Sequence, residues 1–209
     1  ECDYDAITID TSVLEGRDGV FLDSGYAKRL EQFKDSPFRL VLSEVIYNEI
    51  RAHVKAQILK ARSSLKKAFN ELQRYKALTN GDIARIKHIM VNATDADEIA
   101  HEIMSDFVDR CGIEVISACD HVELRRVLDS YFNHDAPFAV EGKKKHEFPD
   151  AIALMSLQAW ADKNDIQLIA ASKDTDWVRF CSNIDEIDVV VDLGEALSSF
   201  QRHHAALAF

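Results

Sequence analysis

Short apolar runs alternate along this chain with longer stretches in which apolar residues recur every three or four positions. Ala6–Ile9, Phe38–Leu42, Ile113–Ser117, Leu168–Ala171 and Ile187–Val191 are compact and mostly apolar, as buried strands are. After the second run, Ile46, Ile50, Val54 and Ile58 make one helical stripe that extends through Leu65, Phe69 and Leu72. Ser43 is placed to cap that helix, with Glu44 in its first turn. Further helices are predicted over Ala27–Phe33, through Ile83–Met90, and through Ile99–Phe107 behind a Thr94-x-x-Asp97 capping box. Others follow Asp120 as a cap, Pro149 at a first helical position, and Gly194. Gly16 to Gly25 reads as a loop, Asn80-Gly81-Asp82 as a turn, and residues 133–145 as a long loop.

Strands separated by helices predict a parallel sheet covered on both faces. The expectation is a three-layer α/β/α fold with five parallel strands and a helical insertion at about residues 55–110, all in a single domain over 1–209. The chain opens on Glu1 without methionine, so it is read as a possible piece of a longer protein.

Composition changes this picture little. With 47% hydrophobic and 29% charged residues, the chain has the make-up of an ordinary soluble globular protein. No apolar run approaches membrane-spanning length, so no membrane partner is expected, and the scattered cysteines suit a reduced cytoplasm. Its four cysteines lack C-x-x-C spacing, which argues against a zinc knuckle or a disulfide framework. No G-x-G-x-x-G follows the first strand, and there is no P-loop. Charge is more informative. The net value is −11, yet Arg51–Lys76 holds eight basic residues against Glu71 alone, and Lys143-Lys144-Lys145 adds a second basic patch.

Acidic residues recur at one topological place. Asp10 ends the first strand, and Glu49 lies in the second turn of the helix after the second. Asp150 lies in a first helical turn, and Asp174 and Asp176 follow the fourth strand. Carboxyl ends of parallel strands and starts of the following helices share one edge of a sheet, where ligands bind. Hard cations such as Mg2+ or Mn2+, one or two of them, take carboxylate oxygens. A pair about 3.5–4 Å apart supports phosphodiester hydrolysis. Each acid also has a plain structural reading: Asp10 as a turn cap, Glu49 as a surface residue, Asp150 as a dipole partner. Asp174 and Asp176 equally suit a loop pair or a helix cap.

These motifs together resemble the PIN (PilT N-terminus) domain nucleases: Ile9-Asp10-Thr11-Ser12, Ile46-Tyr47-Asn48-Glu49-Ile50, Asp150-Ala151-Ile152-Ala153-Leu154 and Ser172-Lys173-Asp174-Thr175-Asp176-Trp177. The resemblance implies a Mg2+- or Mn2+-dependent nuclease acting most often on RNA. Asp10, Glu49 and Asp150 carry over as metal ligands, completed by Asp174, Asp176 or both. Ser12 and Ser172 match positions that orient ligands or water. Lys144 and Lys145 become candidate contacts to the scissile strand, against the alternative of plainly solvated lysines. The family's bacterial toxins bring an inhibitory protein partner into view, along with a homo-oligomer. The long insertion sets this chain apart from compact toxins and is more like a larger bacterial branch. Two alternatives stay open: a non-catalytic PIN-like binding module, and a haloacid-dehalogenase-type phosphatase, for which Asp10-Thr11-Ser12 lacks the second acid of D-x-D.

Overall fold

A computed structural model describes residues 3–16, 19–20, 22–23, 25–91, 94–138 and 147–207. Five strands, β1 (Ala6–Ile9), β4 (Arg39–Ser43), β5 (Ile113–Ile116), β6 (Leu168–Ala171) and β7 (Ile187–Val190), form a parallel sheet in the order β5-β4-β1-β6-β7. Central β1 pairs Ala6 with Arg39 on one side and with Leu168 on the other. All four β1 residues and all four β6 residues are buried, which explains why only Thr8 among them is polar. The architecture is the expected three-layer α/β/α sandwich.

The long helix after β4 is α3 (Glu44–Arg74), capped by Ser43, whose hydroxyl accepts the Val45 N–H. Ile46, Ile50, Val54 and Phe69 are buried along it. Two more helices, α4 (Asn80–Val91) and α5 (Ala96–Cys111), complete the segment before β5. Helix α7 (Phe148–Asn164) precedes β6 and is apolar almost all round, as a helix covered on several sides must be. Phe33, Phe38 and Phe200 meet edge to face, with centroids 5.2 and 4.9 Å apart, joining the chain's closing helix α9 (Leu193–Leu207) to its beginning.

Several local expectations are corrected. Within residues 16–25, β2 (Glu15–Gly16) and β3 (Gly19–Val20) pair antiparallel as a small hairpin. Gly19, at φ 115°, lies against the Gln57 side chain of α3, where any Cβ would collide. Residues 27–33 divide between helix α2 (Gly25–Arg29) and a 3-10 turn, Leu30–Phe33. Asn80-Gly81-Asp82 opens α4 and is not a turn, because Thr79 and Asp82 exchange capping bonds of 2.6–3.2 Å. Asp95, not Thr94, caps α5 by accepting the Asp97 N–H at 2.7 Å. Asp120 lies in a 3-10 turn, and helix α6 (Leu124–Asn133) starts four residues later, behind Glu123.

Gly112 ends α5 in the left-handed region, φ 65°, with its Cα facing the backbone of Lys34. An added Cβ would lie 2.8 Å from Lys34 Cα. Gly112→Ala is expected to cost about 2 kcal/mol from strain and displacement together. The check is a urea midpoint, and an unchanged midpoint would contradict the contact.

Candidate active site

The site begins where β1 stops. Asp10 continues the ladder by donating its N–H to the Ala171 carbonyl at 2.9 Å, and its carbonyl accepts from Val13 as helix α1 (Thr11–Leu14) starts. The Asp10 side chain makes no capping bond. Oδ2 instead accepts from two hydroxyls, Ser12 Oγ and Ser172 Oγ, the latter at 2.9 Å. Asp10 is only 6% exposed, so these bonds hold a carboxylate largely out of water. The same hydroxyls organise the turn after β6: Ser12 Oγ accepts the Lys173 N–H and Ser172 Oγ the Asp174 N–H, both at 3.0 Å.

Glu49 is otherwise exposed, and Thr11 Oγ1 donates to its Oε2 at 2.9 Å. Thr11 is buried, so α1 fixes the Glu49 carboxylate from below. Asp150 lies half-buried in the first turn of α7. Deeper along that helix, fully buried Ser156 donates to Ser43 Oγ at 3.0 Å. That bond ties the α7 scaffold to the start of α3, and hence Asp150 to Glu49.

Asp174 caps α8 (Thr175–Cys181), its Oδ1 accepting the Asp176 N–H at 2.8 Å. Asp176 points elsewhere, pairing with Arg179 at 2.9 Å. Burial first and the Asp174 charge second raise its pKa, while Arg179 opposes the rise.

Electrostatics show which acids share a space. Burial is the largest cause pushing the Asp150 carboxyl up to about 7, followed by the charges of Asp174, Asp10 and Glu49. Asp176 is not among those causes. The buried Trp177 indole N–H acts against the rise as a donor, yet no partner lies within full hydrogen-bond geometry. The Asp150 carboxyl therefore feels the charges of carboxylates carried by three other elements at the carboxyl edge of the sheet. Among the described residues, no group of three or more His, Cys, Asp or Glu is already set in metal-holding positions. Lys144 and Lys145 lie outside the described residues.

The profile of the PIN domain family matches residues 7–177. The chain belongs to the PIN domain family. That span contains β1, β4, β5 and β6 and every acid named above. PIN domains are generally nucleases that use divalent metals on nucleic acid. Neither a curated protein nor a solved structure matches the chain. No described helix of this PIN domain is long and apolar enough to cross a membrane.

Three contributors escape sequence reading. Ser156 is a small hydroxyl residue in a helix with no chemical signature until its partner is seen, and Thr11, though within the Asp10-Thr11-Ser12 motif, shows its role only through Glu49. Arg179 had a visible signal, since it lies three residues after Asp176 on one helix.

Proposed function

We propose that this protein is a divalent-metal-dependent endonuclease acting on RNA in preference to DNA, with Asp10, Glu49, Asp150 and Asp174 as the ligand set. The observation that carries the reading is the Asp150 carboxyl, pushed to about 7 partly by three other carboxylates. Like charges gathered at a strand edge call for a cation, and an all-oxygen donor set suits a hard one, Mg2+ or Mn2+. Bound there, such an ion supplies Lewis-acid activation of water and stabilisation of the leaving oxygen.

The chain's own residues do the positioning. Ser12 and Ser172 both bond Asp10 Oδ2 and so hold the carboxylate in place through one oxygen. Thr11 orients Glu49, and the cap bond orients Asp174 while leaving its second oxygen uncommitted. Asp176, held by Arg179, acts by steadying the α8 turn.

The test incubates labelled single- and double-stranded RNA and DNA with Mn2+ or with chelator, comparing wild type and Asp10→Asn. Asparagine retains an oxygen that accepts from Ser12 and Ser172, so the fold survives the change. Expected is Mn2+-dependent cleavage of RNA, reduced about 1000-fold or more in the variant, as for loss of a catalytic electrostatic group. Cleavage that persists in Asp10→Asn would remove the proposal. The lack of a preset metal group among the described residues favours one second reading, a non-catalytic binding module. Calorimetry showing no heat with millimolar Mn2+ would select it.

A further inference from the structure

Charge is divided unevenly in this protein. Residues 51–91 carry ten lysines and arginines against Glu71 and Asp82, a net of +8. Of the chain's net −11, the rest therefore holds −19, from 15 basic and 34 acidic residues. The positive charge lies mainly on the outer half of α3, where residues 59–68 are exposed apart from Arg62.

Two basic stripes run along that helix, and the structure uses them differently. One faces α5: Lys55 pairs with Asp97 at 3.0 Å, and Arg62 donates to the Thr94 carbonyl. These residues hold the helices together. The other stripe is Lys60, Lys67 and Arg74. At 3.6 residues per turn, positions 11, 18 and 25 beyond Glu49 fall within about 20° of it around the helix. All three are exposed, and none makes an ion pair or donates a side-chain hydrogen bond among the described residues.

The interval between Glu49 and Lys60 is not blank. A groove of about 400 Å³ opens there between the β2–β3 hairpin and α3, lined by Gly16, Gly19, His53, Ala56 and Lys60 among others. Its acidic wall, Glu15, has His53 Nδ1 2.8 Å from its carboxylate. Past Arg74, Tyr75 is 77% exposed and offers a ring on which a base can stack.

We propose that this face of α3 is a track for the phosphate backbone of single-stranded RNA, leading away from the carboxylate site through the groove to Lys60, Lys67, Arg74 and Tyr75. The inference rests on the nuclease reading for its substrate and adds a second, extended binding surface to it. From Glu49 to Arg74 the helix advances about 37 Å. A stacked strand, at about 3.4 Å per nucleotide, covers that distance with roughly 11 nucleotides. Phosphates so placed find cations about every 10 Å. The stripe facing α5 offers them little, because Lys55 and Arg62 are committed to Asp97 and the Thr94 carbonyl.

The test is fluorescence anisotropy in chelator, with labelled oligoribonucleotides of about 12 and about 4 nucleotides. Chelator separates binding from cleavage, so failure of the nuclease reading and failure of the track are scored independently. The variant Lys60→Glu/Lys67→Glu/Arg74→Glu is compared with an equal-charge control on exposed positions off the track, Lys66→Glu/Arg85→Glu/Lys87→Glu. Wild type should gain affinity with length, and the track variant should lose that gain. Its salt dependence should fall by about 2 in log–log slope, three phosphates at about 0.7 each, or roughly 20-fold across a four-fold salt range. The control should lose much less. Equal losses in both variants, or no gain with length in wild type, would overturn the track. So would light scattering that shows the track variant dissociating an oligomer while RNA affinity stays unchanged, since the stripe would then dock a second copy.

Discussion

Asp150→Asn should raise the melting temperature of the metal-free protein at pH 8 while abolishing Mn2+-dependent cleavage. The native Asp150 carboxyl titrates near 7 against an ordinary 3.8, so between those values the folded protein holds a proton that the unfolded chain has released. Stability therefore falls as pH rises through that window, and above pH 7 the ionised group faces Asp174, Asp10 and Glu49 uncompensated. Asparagine cannot ionise, so it escapes the loss. Taken in full, the displacement corresponds to about 4 kcal/mol at about 1.4 kcal/mol per pH unit. Solvent screening of a half-buried group brings this to about 1–2 kcal/mol, or roughly 4 °C in a chain of this size. The gain should shrink towards zero at pH 4, where wild type is protonated as well. Saturating Mn2+ should reverse the order by stabilising wild type alone. Thermal melts at pH 4, 6 and 8, with chelator and with Mn2+, make the comparison. A variant that melts lower at pH 8 in chelator would mean the carboxylates do not crowd Asp150.

Asp174→Asn and Asp176→Asn should separate by more than an order of magnitude in cleavage rate. Asp174 faces Asp150 and caps α8, whereas Asp176 is turned to Arg179. Asparagine caps a helix about as well as aspartate, so Asp174→Asn keeps the α8 turn and removes mainly charge. Its loss is expected at about 100-fold or more, the scale for a preorganised charge at a reacting centre. Asp176→Asn gives up an exposed ion pair worth less than about 1 kcal/mol and is expected to cost under 10-fold. Initial rates at saturating Mn2+, with melts confirming intact folds, decide between them. Equal rates in the two variants would undo the assignment of Asp174 to the ligand set.

The parts of the fold visible in sequence are those for which burial dictates composition. Leu168–Ala171 is apolar at every position, and Ala6–Ile9 at all but Thr8, because both faces are covered, and the 46-50-54-58 stripe follows from one covered face. Asp10, Glu49, Asp150 and Asp174 stood out by their places relative to such runs. What escaped depends on contacts remote in sequence or on single turns. The Glu15–Val20 hairpin has two-residue strands, too short to show alternation, and it is held by Gln57 from another element. The start of α4 turned on whether Thr79 or Asn80 does the capping, a matter of one hydroxyl. The orientation of Asp176 was hidden because neighbours two apart in a turn diverge according to which finds a partner first.

The sheet order has a consequence for the protein's birth. Its central strand is made first, but one neighbour of that strand, β6, emerges some 160 residues later. Domains fold as units when long-range partners become available, and parallel pairing of distant segments is slow. A ribosome that has made two thirds of the chain has exposed Asp10 and Glu49, but neither Asp150 nor the Ser172 hydroxyl that fixes Asp10. The half-made polypeptide thus lacks two of the four acids of the proposed site, which can assemble only after residue 174 has emerged.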